Sequence, residues 1–298
     1  MMMMMMMMVP QVHVGCGVYA GGVTVFPVWT AVRGVRGLDT GVRARVGAAE
    51  RAGSPVVGEL VLTNEGPRPA LLLEGELLEG GWQHRVVVQD LVLAPRSSRV
   101  VDVACVEQGR WSGATGHGRR ARRASTRVRS AFRQDEGVRQ GAVWSRVGDY
   151  GAVLAPSPTG SLLDHLDRVA DAPGHRGVVA LPGQRGVILG VGGQPLLLEL
   201  FGSSTALAAH LPSMLAAARL DAALVPPTHV GEVPGRRARR MVTHLDGLPL
   251  GADPAHGGDG VALGGDTSHA TLSGVAMSTG ELAHLSVLNT HHPLLEMA

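Results

Sequence analysis

An α+β fold, with an antiparallel β-rich, sandwich-like N-terminal half packed against a C-terminal half of mixed helices and β-hairpins, follows from three features of the chain. Short apolar runs separated by Gly, Pro, Asn and Ser turns recur between residues 23 and 111. Helical patterns with their own caps interrupt the strands after residue 157, and strand pairs return toward the end. The 298 residues are 45% hydrophobic and 17% charged, enough for one large domain with a real core. The expected organisation is a disordered segment over residues 1–22 and a single domain over 23–290.

Each element has a local reason. Val23 to Val28 is a short strand, followed by a Gly- and Arg-rich loop from Arg33 to Arg45. Val56 to Leu62 alternates, Asn64-Glu65-Gly66-Pro67 turns the chain, and Ala70 to Leu73 reads as the returning arm of a hairpin. His84 to Leu93 and Val100 to Val106 continue the β-rich half, broken by Pro95 and Ser97-Ser98. Ser161 and Asp164 have capping-box spacing for a helix to about Ala170. Gly177 to Leu181, Gly186 to Val191 and Pro195 to Phe201 are strand patterns, the last two joined by Gly192-Gly193. A phosphate-loop reading of that GVGG string fails, because a strand follows it where a helix N-terminus would be needed. Ser203-Ser204 caps a helix carrying Leu207, Leu211, Leu215 and Leu220, with Pro212 inside it. Residues 226–268, rich in Pro, Gly, Arg and Asp, are expected as a long exposed loop, after which Ala270 to Met277 and Leu282 to Leu288 form a closing hairpin.

Composition excludes several classes. All 27 basic residues are Arg, net charge is +2 and the pI is about 8.9. That is mildly basic and not a nucleic-acid signature. Cys16 and Cys105 stand far apart, which suits a reduced, cytoplasmic chain. No apolar run is long enough to span a bilayer, and the Met1 to Met8 start lacks the features of a signal peptide. The scattered histidines show no metal-ligand spacing, and no cofactor is indicated.

The polar residues gather in two knots, Glu74 to Arg85 and Glu107 to Trp111, each attached to a strand-like run. Alternation puts Val101, Val103, Cys105 and Glu107 on one face, so an apolar face ends in a carboxylate that needs a partner, Arg85 or Arg110. The knots support two readings. In one they form a structural ion-pair network with Trp82 and Trp111 as lids. In the other they line a pocket, with Glu76 and Glu107 as catalytic carboxylates and Gln83, His84, Arg85, Arg110 and Trp111 binding an anionic, ring-bearing ligand. A third candidate is the segment from Arg119 to Arg133, whose seven arginines read as a solvated helix face or mobile loop, or else as a contact for an anionic ligand, RNA or another partner.

The stretch from Glu59 to Trp111, with CVEQGRW at its end, resembles the ADP-ribosylglycohydrolase and rhodanese-phosphatase-superfamily-associated protein domain family. FPV at Phe26, QGAVW at Gln140, SPTGSL at Ser157, LELF at Leu198, LPSML, LDAAL and His284-Leu285-Ser286 follow in the family's order. Where the family reads GEEL and then Lys-Gln-Asn-Arg, this chain keeps Glu76, Gln83 and Arg85 but has Leu77, Trp82 and His84. The resemblance implies a cytosolic domain associated with ADP-ribose or NAD-related metabolism and names no reaction. The expectation is a site for an ADP-ribose- or NAD-like small molecule, the alternative a non-catalytic interaction or RNA-associated domain using residues 119–133.

Overall fold

The computed structural model describes residues 7–53, 56–170 and 178–296. It is mixed α+β, built from a closed antiparallel barrel, a ten-stranded antiparallel sheet and a layer of helices that packs against both.

Short strands open the chain: β1 (Met7–Met8), β2 (Val12–Val14) and β3 (Val18–Ala20) precede the longer β4 (Val23–Thr30). Next come β5 (Asp39–Thr40), β6 (Val46–Ala49), β7 (Glu59–Asn64), β8 (Ala70–Leu72), β9 (Leu77–Gly80), β10 (Arg85–Val87), β11 (Leu91–Leu93), β12 (Ser98–Cys105) and β13 (Gly116–Gly118). The barrel closes in the order β10-β12-β7-β6-β13-β9, while β11, β8 and β5 form a small separate sheet. Alternation in β7 turns Leu60 and Leu62 inward, where they meet Ala48, Leu78, Val87, Val101 and Val103.

Helices follow: α1 (Thr126–Arg129), α2 (Glu136–Val153) and α3 (Leu162–Ala170). The hairpin of β14 (Gly186–Val191) and β15 (Gln194–Phe201) leads into α4 (Ser204–Ala223), capped by the Ser203 hydroxyl, which accepts from the Ala206 amide. Then come α5 (Gly235–Leu245), β16 (Pro249–Asp253), β17 (Gly260–Asp266), β18 (Ala270–Met277), β19 (Leu282–Asn289) and the terminal turn α6 (Pro293–Glu296). The large sheet runs β1-β16-β17-β18-β19-β15-β14-β4-β2, with β3 also on β4. Both of its faces are covered, so β15 and β19 read as nearly continuous apolar runs. One face packs on α4 through Leu207, Leu211 and Leu215, and the other on α5 through Ala238 and Leu245.

Four expectations need correction. Residues 7–20 of the segment expected to be disordered carry β1, β2 and β3, because β4 and β16 offer them free edges. Residues 226–268 hold α5, β16 and β17, since the stripe Ala238, Met241, Val242 and Leu245 gives α5 an apolar face despite its four arginines. The turn at Asn64 exists, yet β7 pairs with β6 and β12 while β8 pairs with β5 and β11. The Asn64 amide donates to the carbonyls of Arg68, Leu93 and Ala94, which holds the chain as it crosses between sheets. Of the strand expected over 177–181, residue 177 lies outside the described residues and 178–181 are irregular.

Candidate functional site

The two polar knots meet at one end of the barrel. Glu107, directly after β12, is 2% exposed, and both its oxygens are occupied. Arg110 donates to it from Nε at 3.0 Å and from Nη2 at 2.7 Å, the His84 amide at 3.0 Å and Thr159 Oγ1 at 2.9 Å. Burial alone would raise the Glu107 pKa, but Arg110, the His84 amide and Thr159 together bring it below the ordinary carboxylate value. The remaining Arg110 donors reach the carbonyls of Gly80, Gly81 and Ser112, tying the knots together. Trp82 and Trp111 meet edge to face at 5.4 Å.

Arg85 takes a different partner. Its Nη2 lies 3.6 Å from Glu50, its Nη1 donates to Gln83, and its guanidinium sits 5.7 Å from the Trp111 ring. His117 also contacts Glu50, at 3.2 Å. Burial outweighs the pull of Glu50 and lowers the His117 pKa, and burial also lowers that of His84 against the pull of Glu107. The barrel end therefore brings together Gln83, His84, Arg85, Glu107, Arg110 and Trp111. Glu107 has no oxygen left over for a substrate proton.

Glu76 faces elsewhere. It lines a cavity of about 390 Å³ with Arg119, Arg45, Glu65 and Ala121. Arg119 donates to its Oε1, and the Leu73 amide to its Oε2 at 3.3 Å. Across Ala121 lies a second cavity, about 270 Å³, lined by Arg122, Arg123, Asp167 and the α4 residues Pro212, Ser213 and Ala216. Ala121 between them has φ +52°, a left-handed conformation costly for a residue with a Cβ.

The arginines of 119–133 are not the solvated face expected of them. Arg123, Arg127 and Arg129 are buried, because the helix begins only at Thr126 and the irregular residues before it pass between carboxylates. Asp221 of α4 accepts from the amides of Thr126 and Arg127 at 2.7 and 3.1 Å and from the Tyr150 hydroxyl, fixing where α1 starts. From there Arg127 pairs with Asp149 at 2.9 Å. Arg129 donates to Glu74 at 3.1 Å, Glu199 at 2.8 Å and Ser286 at 2.7 Å. Arg133 reaches Glu74 and Ser273.

Behind Arg123 the cluster continues through the sheet. Arg123 lies 3.1 Å from Glu199, which also meets His284 at 2.5 Å, and His284 meets Asp90 at 2.6 Å. Burial would push the His284 pKa down, but Asp90 and Glu199 on either side raise it to about 9. Burial likewise works against Glu199 as a carboxylate, yet Arg123, Arg129 and His284 hold it well below the usual range. Four cationic groups, Arg123, Arg129, Arg133 and His284, thus face three carboxylates, Glu74, Asp90 and Glu199. Arg123 Nη2 makes no hydrogen bond.

Arg123 and Arg129 were expected only as part of the 119–133 segment and Glu74 only as the start of a knot, while Asp90, Glu199 and His284 were not among the candidate site residues read from sequence. A signal existed in Glu199 and His284, each an ionisable residue alone in an otherwise apolar strand. Among the described residues no cluster of His, Cys, Asp and Glu could hold a metal ion, and no helix is long and apolar enough to cross a membrane.

These features define an α+β domain whose antiparallel barrel and large sheet are joined through a buried ionic cluster, one member of which, Arg123, lines a small cavity. The chain belongs to the family described as the ARG and Rhodanese-Phosphatase-superfamily-associated Protein domain, whose model matches residues 11–288. No curated protein and no solved structure matches it.

Proposed function

We propose that the domain binds an anionic small molecule of the ADP-ribose or NAD class in the cavities flanking Ala121, in the reducing cytoplasm that its two unpaired cysteines suit. The observation that carries this reading is Arg123, a buried guanidinium with an unsatisfied Nη2 at the wall of a cavity, backed by a cluster with one cation more than it has carboxylates. An unpaired buried donor is costly, and an anion is the group that satisfies it best. Arg119 and Arg45 on the other side of Ala121 suit a second phosphate, and Glu65 or Glu76 suits a ribose hydroxyl. A role for Glu107 as general acid or base is less well supported, since its oxygens are taken by Arg110, His84 and Thr159. An RNA-contact role for residues 119–133 has little surface to use, because their central arginines point inward.

Isothermal titration with ADP-ribose and NAD tests the reading. Arg45 is exposed, so Arg45→Ser should leave the melting temperature unchanged and weaken ADP-ribose by about threefold to tenfold, the contribution of one partly solvated phosphate contact. Absence of heat with both ligands at millimolar concentration, or equal affinity in the variant, overturns it.

A further inference from the structure

A second charged cleft, of about 600 Å³, lies where the loop carrying Arg33 and Arg36 meets the start of α4. Three arginines, Arg33, Arg36 and Arg185, line it with a single carboxylate, Glu281. Arg33 approaches Glu281 only at 3.9 Å and is 87% exposed, so the two do not neutralise the cleft. Arg185 is held firmly. Its Nε donates to the Phe201 carbonyl at 3.1 Å and its Nη1 to the Val32 carbonyl at 2.5 Å. Its Nη2 has no partner, although the residue is only 9% exposed.

The same cleft receives the N-terminus of α4, a helix of 20 residues. Ser203 caps the Ala206 amide, and the other amides of a first helical turn have no partner within the helix, which favours negative charge in front of them. The loop is strapped to this point: the Val35 amide donates to the Gly202 carbonyl at 2.9 Å. A Cβ on Gly34 would lie 2.9 Å from that same carbonyl, so only glycine lets the loop approach so closely. Two carbonyls thus fix a guanidinium in the wall of the cleft, close to a helix start, where its charge adds to that of Arg33 and Arg36. Three guanidinium groups against one carboxylate, beside the positive end of a helix, favour a tetrahedral oxyanion in the cleft.

We propose that this cleft is a binding site for a phosphate group, either inorganic phosphate or the phosphate of a small metabolite. It is distinct from the cavities at Ala121. Pro212, which lines one of those, lies eight residues beyond Ser204, or about 12 Å along the α4 axis. The proposal stands without the ADP-ribose reading.

The test is titration of the full chain with inorganic phosphate, pyrophosphate and phenyl phosphate at constant ionic strength, with chloride as the control anion. Phosphate should raise the melting temperature and give a saturable isotherm, and phenyl phosphate should bind more tightly than inorganic phosphate if a metabolite is the natural occupant. Arg185→Met should weaken phosphate about threefold to tenfold, through loss of a partly buried positive charge beside the bound anion. Because Arg185 also holds two backbone carbonyls, Arg36→Ser is the second variant; it is exposed, should fold normally, and should weaken phosphate about threefold. A chloride response equal to that of phosphate, or phosphate affinity unaltered in Arg36→Ser and in any folded Arg185→Met, overturns the proposal.

Discussion

Raising the pH from 6.5 to 9 should destabilise the protein through one residue, His284. Its imidazole lies between Asp90 and Glu199, fully buried, with a pKa raised to about 9 against 6.5 for a free side chain. Between those values the folded state holds a proton that the unfolded state has released. The stabilisation is therefore complete below pH 6.5, fades as pH rises, and is gone above 9. The difference of 9 minus 6.5 pH units, at about 1.4 kcal/mol per unit, gives on the order of 3 kcal/mol. His210 acts in the opposite direction. Stacked on Phe201 and 2.7 Å from Thr40 Oγ1, it is pushed down to about 4 by burial. Its contribution is present above pH 6.5 and lost as pH falls toward 4. Urea unfolding at half-unit intervals from pH 5 to 9 should trace a dome with its crest near neutrality. Stopping at 9 limits the contribution of Cys105, whose thiol burial pushes up to about 11, and of Tyr150, also raised by burial, because their unfolded forms ionise only near or above that pH. An imidazole NMR titration assigns the alkaline limb. If His284 titrates near 6.5, or if stability is flat between pH 6.5 and 9, then the reasoning from its two carboxylates fails.

Two substitutions probe the barrel end. Glu107→Gln leaves Arg110 facing a neutral amide in a buried setting and should cost about 3 kcal/mol in urea unfolding while ligand-induced shifts persist; a change under 0.5 kcal/mol would contradict the structural role. Gly81→Ala adds a Cβ at φ +59° and 2.1 Å from the His117 ring, so it should lose more than about 2 kcal/mol, against less than about 0.5 for Gly116→Ala, where a Cβ meets nothing; equal losses would refute the strain argument.

Much of the fold was legible because its signals are local. β7, β12, the β14–β15 hairpin and the closing β18–β19 hairpin follow alternation or apolar runs ended by turns, and α4 announces itself through Ser203 and its leucines. The strands of two or three residues before β4 give no such signal, since they form only because neighbouring edges exist. In α5 the apolar stripe was readable at 238, 241, 242 and 245, but flanking Gly, Pro and Arg masked it. Of the candidate residues, alternation placed Glu107 beside an arginine, which is Arg110, while Arg85 turned to Glu50. The buried cluster was out of reach for a physical reason. Its cations and carboxylates come from two strands, a helical turn and the loops between elements, and nothing in a local window tells a solvated arginine from one that will meet Glu199.

Arg129 has consequences for how the chain is made. Its partners lie 55 residues before it at Glu74, 70 after it at Glu199 and 157 after it at Ser286. At ribosomal speeds of about 5–20 residues per second, the last of them is added roughly 8–30 s after the arginine. Throughout that interval the nascent barrel carries a half-matched patch of charge that must remain in contact with water, so it cannot dock on its neighbours ahead of time. Closure waits for β19. A prematurely terminated product lacking that strand keeps its hydrated, open face and is a natural substrate for cellular proteases.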